Sequence, residues 1–243
     1  MNSLLILFGG IIFSIIIRQI VKKTDTVSGN NYEFFTPDIV SNSNQVISFG
    51  YKMGWFAIKT SNRKRLLELL KLKNQTDCSW FVGLNDAKKN ILYVTPQIGE
   101  WILICGEKFL NAVDEKQNKI IKDILIKFSD EFGEVNFFAT NRIIEYHCWI
   151  KAVDNIIVRE YSYLGEKGTN LFVNGTETNI EKNYNLINTF THDFRASYQN
   201  DLSDKNIPNE EIVMQIAENW SIDPTKIEDR DDISNEYGTK GEI

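Results

Sequence analysis

At 243 residues, 42% hydrophobic and 25% charged, the chain has the composition of a globular protein with one sizeable core or two small ones, not of a disordered one. Its net charge of −6 denies it the broad positive field that sequence-independent nucleic-acid binding needs, so no nucleic-acid partner is expected. The odd set of three cysteines, Cys78, Cys105 and Cys148, has no C-x-x-C spacing; free buried thiols in a reducing compartment are expected, without disulfides or a zinc site.

From Met1 to Ile17 no side chain is charged, and Ile20 and Val21 extend the apolar run past Arg18. At about 1.5 Å per residue the run is slightly short for a bilayer core of roughly 30 Å, and a snorkelling Arg18 lengthens it. Residues 1–23 are therefore expected to be a single transmembrane helix contacting the lipid bilayer. A cleaved signal peptide and a buried core helix are the competing readings; the segment lacks a basic start and a small-residue cleavage site. Arg18, Lys22 and Lys23 follow the span, so the positive-inside bias puts the rest of the chain on the cytoplasmic side of a single-pass membrane protein. Residues 24–49, rich in Ser, Thr and Asn, read as a linker.

One α+β domain is expected over 50–227, with a mixed, mainly antiparallel sheet and packed helices. GWFAIK (54–59) has strand composition, and Ser61 is placed to cap a helix whose leucines, Leu66, Leu67, Leu69 and Leu70, form its buried face. Its basic cluster, Arg63, Lys64 and Arg65 with Lys71 and Lys73, is a solvated helix face that could also lean on anionic lipid. A short helix or irregular segment covers CSWFVGLNDAKK. ILYVT (91–95) and EWILICG (100–106) pair as a hairpin across PQIG.

EKQNKIIKDILIKFSDEF carries Ile120, Ile121, Ile124, Leu125, Phe128 and Phe132 at helical spacing and ends before Gly133, a natural C-cap. VNFFAT, RIIEYHCWIKAV and IIVREYSYL form an antiparallel meander with two-residue turns at Asn141-Arg142 and Asp154-Asn155. A further hairpin closes at Asn174-Gly175. NEEIVMQIAENW (209–220) is a helix with Glu210 and Glu211 in its first turn and Trp220 as core anchor, and Asp223-Pro224 starts one more turn. Residues 228–243 lack an apolar period and read as a polar tail.

Side chains alternate along a strand, so the two turns assign every meander residue to a face. One face carries Asn136, Phe138, Thr140, Glu145, His147, Trp149, Lys151, Glu160 and Ser162. The other, apolar and expected to be the core side, carries Phe137, Cys148, Ile150, Tyr161 and Tyr163. His147 and Cys148 are thus separated and cannot work together as base and nucleophile. Arg159 falls on the apolar face and needs an edge position or a partner there.

The polar face supplies the candidate site. Glu145, His147 and Glu160, flanked by Trp149 and Phe138, form a surface for a protein partner in a non-catalytic interaction module. In the alternative, a hydrolase or metal-dependent enzyme, the same three act as catalytic acid and base or as metal ligands. A plain solvated sheet face is the bland reading. With only His147 and His192 in the chain a histidine-rich metal centre is excluded, and no phosphate-cradling glycine loop occurs, so no cofactor is expected. His192, with Asp193 and Arg195 nearby, lacks the context of a triad. Matches to Asn-x-Ser/Thr at Asn74, Asn174 and Asn219 are chance occurrences in an Asn-rich chain.

NFFATNRIIEYHCWIKA, REYSYLGEKG and IAENWSIDPTKIE together resemble a recurrent pattern in uncharacterised bacterial proteins of immunity or accessory type. The resemblance spans about residues 52–230 and implies a bacterial α+β domain with no established active site.

Overall fold

The computed structural model describes residues 43–111, 113–191 and 206–242, all within one compact unit. The expected anchor and most of the expected linker, residues 1–42, lie outside the described residues, as does His192. Among the described residues no helix is long and apolar enough to cross a membrane.

The domain is α+β. In chain order it runs β1 (Met53–Lys59), α1 (Arg63–Leu70), β2 (Lys73–Cys78), α2 (Trp80–Ala87), β3 (Leu92–Val94), β4 (Trp101–Gly106), a 3-10 turn (Glu107–Asn111) and α3 (Glu115–Phe132). It continues with β5 (Glu134–Asn141), β6 (Tyr146–Val153), β7 (Ile156–Leu164), a second 3-10 turn (Gly165–Lys167), β8 (Thr169–Gly175), α4 (Asn179–Lys182), α5 (Glu210–Trp220), a third 3-10 segment (Pro224–Asp229) and β9 (Gly238–Glu242). All nine strands form one sheet in the order β2-β9-β3-β4-β1-β5-β6-β7-β8, and every neighbouring pair is antiparallel.

Both faces of this sheet are covered. On one side α1, α3 and the first 3-10 turn pack on Phe56, Ile104, Phe137, Cys148 and Ile150. On the other, α2, α5 and the Ile227 segment pack on Trp55, Phe138, Trp149 and Tyr161. The meander face expected to be open to solvent is therefore a second core. Its aromatic residues are stacked: Trp55 on Phe138 at 5.4 Å, and Trp149 on Tyr161 at 4.5 Å and 11°. Polar residues between them had suggested a wet face, but Asn136, Thr140 and His147 are buried as well.

Most helices follow their local signals. Asn62, and not the expected Ser61, caps α1; Ser79, Asp114 and Asn209 cap α2, α3 and α5, each of the four by accepting a backbone N–H, and Gly133 ends α3 at φ 83° with its N–H on the Ser129 carbonyl. Asp223 caps the segment that starts at Pro224. Helix α1 ends right after its leucines, because Lys71 turns left-handed at φ 52° and Lys73–Cys78 become β2. All three cysteines are free and buried.

Two segments depart from expectation. The segment expected as a polar tail, 228–243, is part of the fold as far as it is described: Gly238–Glu242 form β9, hydrogen-bonded between β2 and β3. The strand lacks apolar alternation because glycines occupy its crowded positions. A Cβ on Gly238 would lie 2.2 Å from the Tyr93 ring, and one on Gly241 2.8 Å from Leu72. At the other end, the domain begins before Gly50. Phe49 packs edge-on against Trp55 and donates to the Pro224 carbonyl, and Ser48 donates to Glu228.

Candidate functional site

Two irregularities in the meander decide which candidate residues meet. The β5–β6 connection is not the two-residue turn at Asn141-Arg142; Asn141 pairs with Tyr146, and residues 142–145 form a four-residue loop. The resulting shift of pairing is even, so faces are preserved: Phe138 stands opposite Trp149 and Thr140 opposite His147. The second hairpin does turn at Asp154-Asn155, both left-handed at φ 46° and 63°. One residue, Val158, is then bulged out between the Ala152–Ile157 and Lys151–Arg159 pairs. A one-residue bulge reverses the facing of everything after it. Arg159, Tyr161 and Tyr163 join the Trp149 side, and Glu160 and Ser162 cross to the Cys148 side.

The proposed trio is thereby divided. Glu160, 4% exposed, lies beneath α3, where Lys122 reaches its carboxylate at 2.5 Å and Asn174 donates to it. Glu145 is exposed at the end of the β5–β6 loop, in left-handed conformation at φ 49°. Its side chain lies on Gly165, where a Cβ would stand 2.3 Å from Glu145 Oε2, and its carbonyl accepts the Gly165 N–H. Glycine at 165 is what allows this loop to dock. Phe138 and Trp149 are fully buried and cannot form an exposed contact surface.

Glu145 and His147 do remain neighbours. Both line a cleft of about 490 Å³ between the β5–β6 loop and the start of α5, together with Arg142, Pro208, Glu210 and Glu211. His147 is 4% exposed and its Nδ1 lies 3.0 Å from the Thr140 hydroxyl. Burial pushes its pKa down to about 4, so the ring is neutral near pH 7. Its neighbour Cys148, on the opposite face, has its thiol pushed up to about 12 by burial and is a packed hydrophobe. Among the described residues, three carboxylates, Glu145, Glu210 and Glu211, face one guanidinium, Arg142, in the cleft. Glu210 Oε1 is buried without a hydrogen-bond donor among the described residues. The α5 dipole offsets part of this negative charge, since Glu210 and Glu211 sit in its first turn. No group of three or more His, Cys, Asp or Glu that could hold a metal occurs among the described residues.

Sequence reasoning missed the best-connected polar group of the domain. Glu181 of α4 is buried and accepts from Trp149 Nε1 at 2.8 Å, Arg159 Nε at 2.8 Å, Thr178 N at 2.8 Å and Thr178 Oγ1 at 2.7 Å. Arg159 thus has the partner its apolar surroundings demand. Its Nη1 also donates to the carbonyls of Asn174 and Gly175. The available signal was the capping-box spacing from Thr178 to Glu181. The basic cluster of α1 is also partly engaged: Arg65 forms a two-pronged pair with Glu131, and Arg63 donates to Thr239.

No family model matches the chain, and comparison with curated proteins and with solved structures finds no match either.

Proposed function

We propose that the chain is a membrane-tethered, cytoplasm-facing protein-interaction module of immunity or accessory type, which holds a cationic segment of its partner in the cleft between the β5–β6 loop and α5. The observation that carries this reading is the Glu210 oxygen, buried with no donor among the described residues, beside Glu145 and Glu211 in an open cleft. A buried acceptor without a donor costs about 1–3 kcal/mol, which a lysine or arginine side chain entering the cleft would recover. The net charge of −6 favours encounter with a basic partner. The enzyme alternative needed Glu160 beside Glu145 and His147, and no observation favours it now that Glu160 lies across the sheet.

Fluorescence anisotropy with a labelled Lys/Arg-rich peptide tests the proposal. Binding should weaken with added salt, exceed that of a Glu-rich peptide, and fall at least about tenfold in the Glu145→Gln/Glu210→Gln/Glu211→Gln variant. Equal binding by parent and variant would overturn it. The tether is tested separately: the full chain should sediment with membranes, and a chain lacking residues 1–23 should not.

A further inference from the structure

The opposite side of the domain carries a second concavity, independent of the cleft. Between the C-terminal half of α1, the Glu107–Asn111 turn and α3 runs a groove of about 500 Å³, floored by Leu69, Leu70, Phe109, Ile120, Ile124 and Phe128. It exists because α3 is broader in its apolar stripe than the sheet needs. Ile121, Leu125 and Phe128 reach the core, whereas Ile120, one position round the helix, is left 43% exposed.

The groove's polar groups are biased toward positive charge. Lys127 donates to the Leu69 carbonyl at 2.9 Å, at the C-terminal end of α1, and an ammonium has two further donors to offer. Lys108 is half-buried in the groove wall and has no hydrogen bond or ion pair with a described residue. Burial lowers its pKa, with only Glu242 acting against that. The acid lining the groove, Asp123, is already held by Lys119 at 2.7 Å. An apolar trough of this size with a few placed polar groups has the form of a small-ligand site. A half-buried ammonium with no ion pair among the described residues calls for an anion at one end of it.

We propose that this groove binds a free long-chain carboxylate, with its alkyl chain along Leu69, Ile120 and Ile124 and its carboxylate on Lys108 and Lys127.

The test uses the full chain in phosphatidylcholine nanodiscs and a diazirine-bearing palmitate as photoprobe, with labelled peptides mapped after digestion. Saturable labelling is expected on the peptide containing Ile120 and Ile124. Palmitate should compete about tenfold better than the acid two methylenes shorter. Lys108→Gln should reduce labelling several-fold, and Ile120→Glu, at a half-exposed position that leaves the fold intact, should abolish it. Three results would overturn the proposal. These are labelling confined to residues 1–23, equal labelling by the matching diazirine alcohol, or loss of labelling in phosphatidylglycerol nanodiscs, which would assign the groove to bilayer lipid instead.

Discussion

Glu181 is the residue whose loss should cost the fold most relative to its size. Substituting Glu181→Leu strands the Arg159 guanidinium, which is buried under α4 with only two backbone carbonyls left to it, and removes the acceptor of Trp149 Nε1. Breaking a buried ion pair from one side costs about 3–5 kcal/mol. The reverse change, Arg159→Met, keeps the apolar stem and leaves the carboxylate three donors, from Trp149 and Thr178. It removes the bonds to Glu181 and to the Asn174 and Gly175 carbonyls, yet its cost should stay at about 1–3 kcal/mol because the carboxylate keeps its other donors. The double variant leaves the indole N–H, the two Thr178 donors and the Asn174 and Gly175 carbonyls without these partners but strands no charge, so it should be more stable than Glu181→Leu alone by about 2 kcal/mol. Urea denaturation followed by tryptophan fluorescence reads all three, provided the m-value stays constant. Additive single-variant costs, or a larger loss for Arg159→Met than for Glu181→Leu, would refute the view that the carboxylate is the hub.

Three further outcomes are expected. His147 has a folded-state pKa of about 4, below its ordinary value of 6.5, so the unfolded chain takes up the proton first. Its neutral burial contributes stability that is present above pH 6.5 and falls by about 3 kcal/mol between pH 6.5 and 4. Denaturation midpoints at pH 7.5 and 4.5 should differ less in His147→Phe than in the parent, and an identical difference would exclude this role. The Tyr93 hydroxyl is buried with no partner among the described residues, so Tyr93→Phe should leave the melting temperature unchanged or raise it, whereas a clear drop would reveal a hidden acceptor. Ending the chain after Tyr237 removes β9 and bares the facing edges of β2 and β3; the product should be insoluble, and a soluble, cooperatively melting product would show β9 to be dispensable.

Helices α3 and α5, the β3–β4 hairpin and the meander were legible because each carries its own period and punctuation, such as Gly133 after α3 and the acidic first turn of α5. What escaped the sequence depended on neighbours. Val158 has no marker of a bulge, yet its extra residue sends Glu160 to the opposite face and breaks the proposed trio. The even four-residue shift at the first hairpin left Phe138, His147 and Trp149 on one face despite the wrong pairing. Burial of that face was hidden because Asn136, Thr140 and His147 look like solvent-facing residues until α5 is laid over them. Strand β9 was invisible because YGTKGE is selected by the space beside Tyr93 and Leu72, which is a property of other segments.

The position of β9 also sets an order of events in folding. Thr239 hydrogen-bonds Asp77 across 162 positions of sequence, and of the nine strands described β9 is the furthest along the chain. During synthesis, β2 and β3 are complete long before the strand that fills the gap between them. One half of the sheet can assemble from local hairpins, while the other must wait with two open edges. A ribosome pause before β9 emerges would therefore hold the chain in an aggregation-prone state, and a chaperone would act on that half of the domain first.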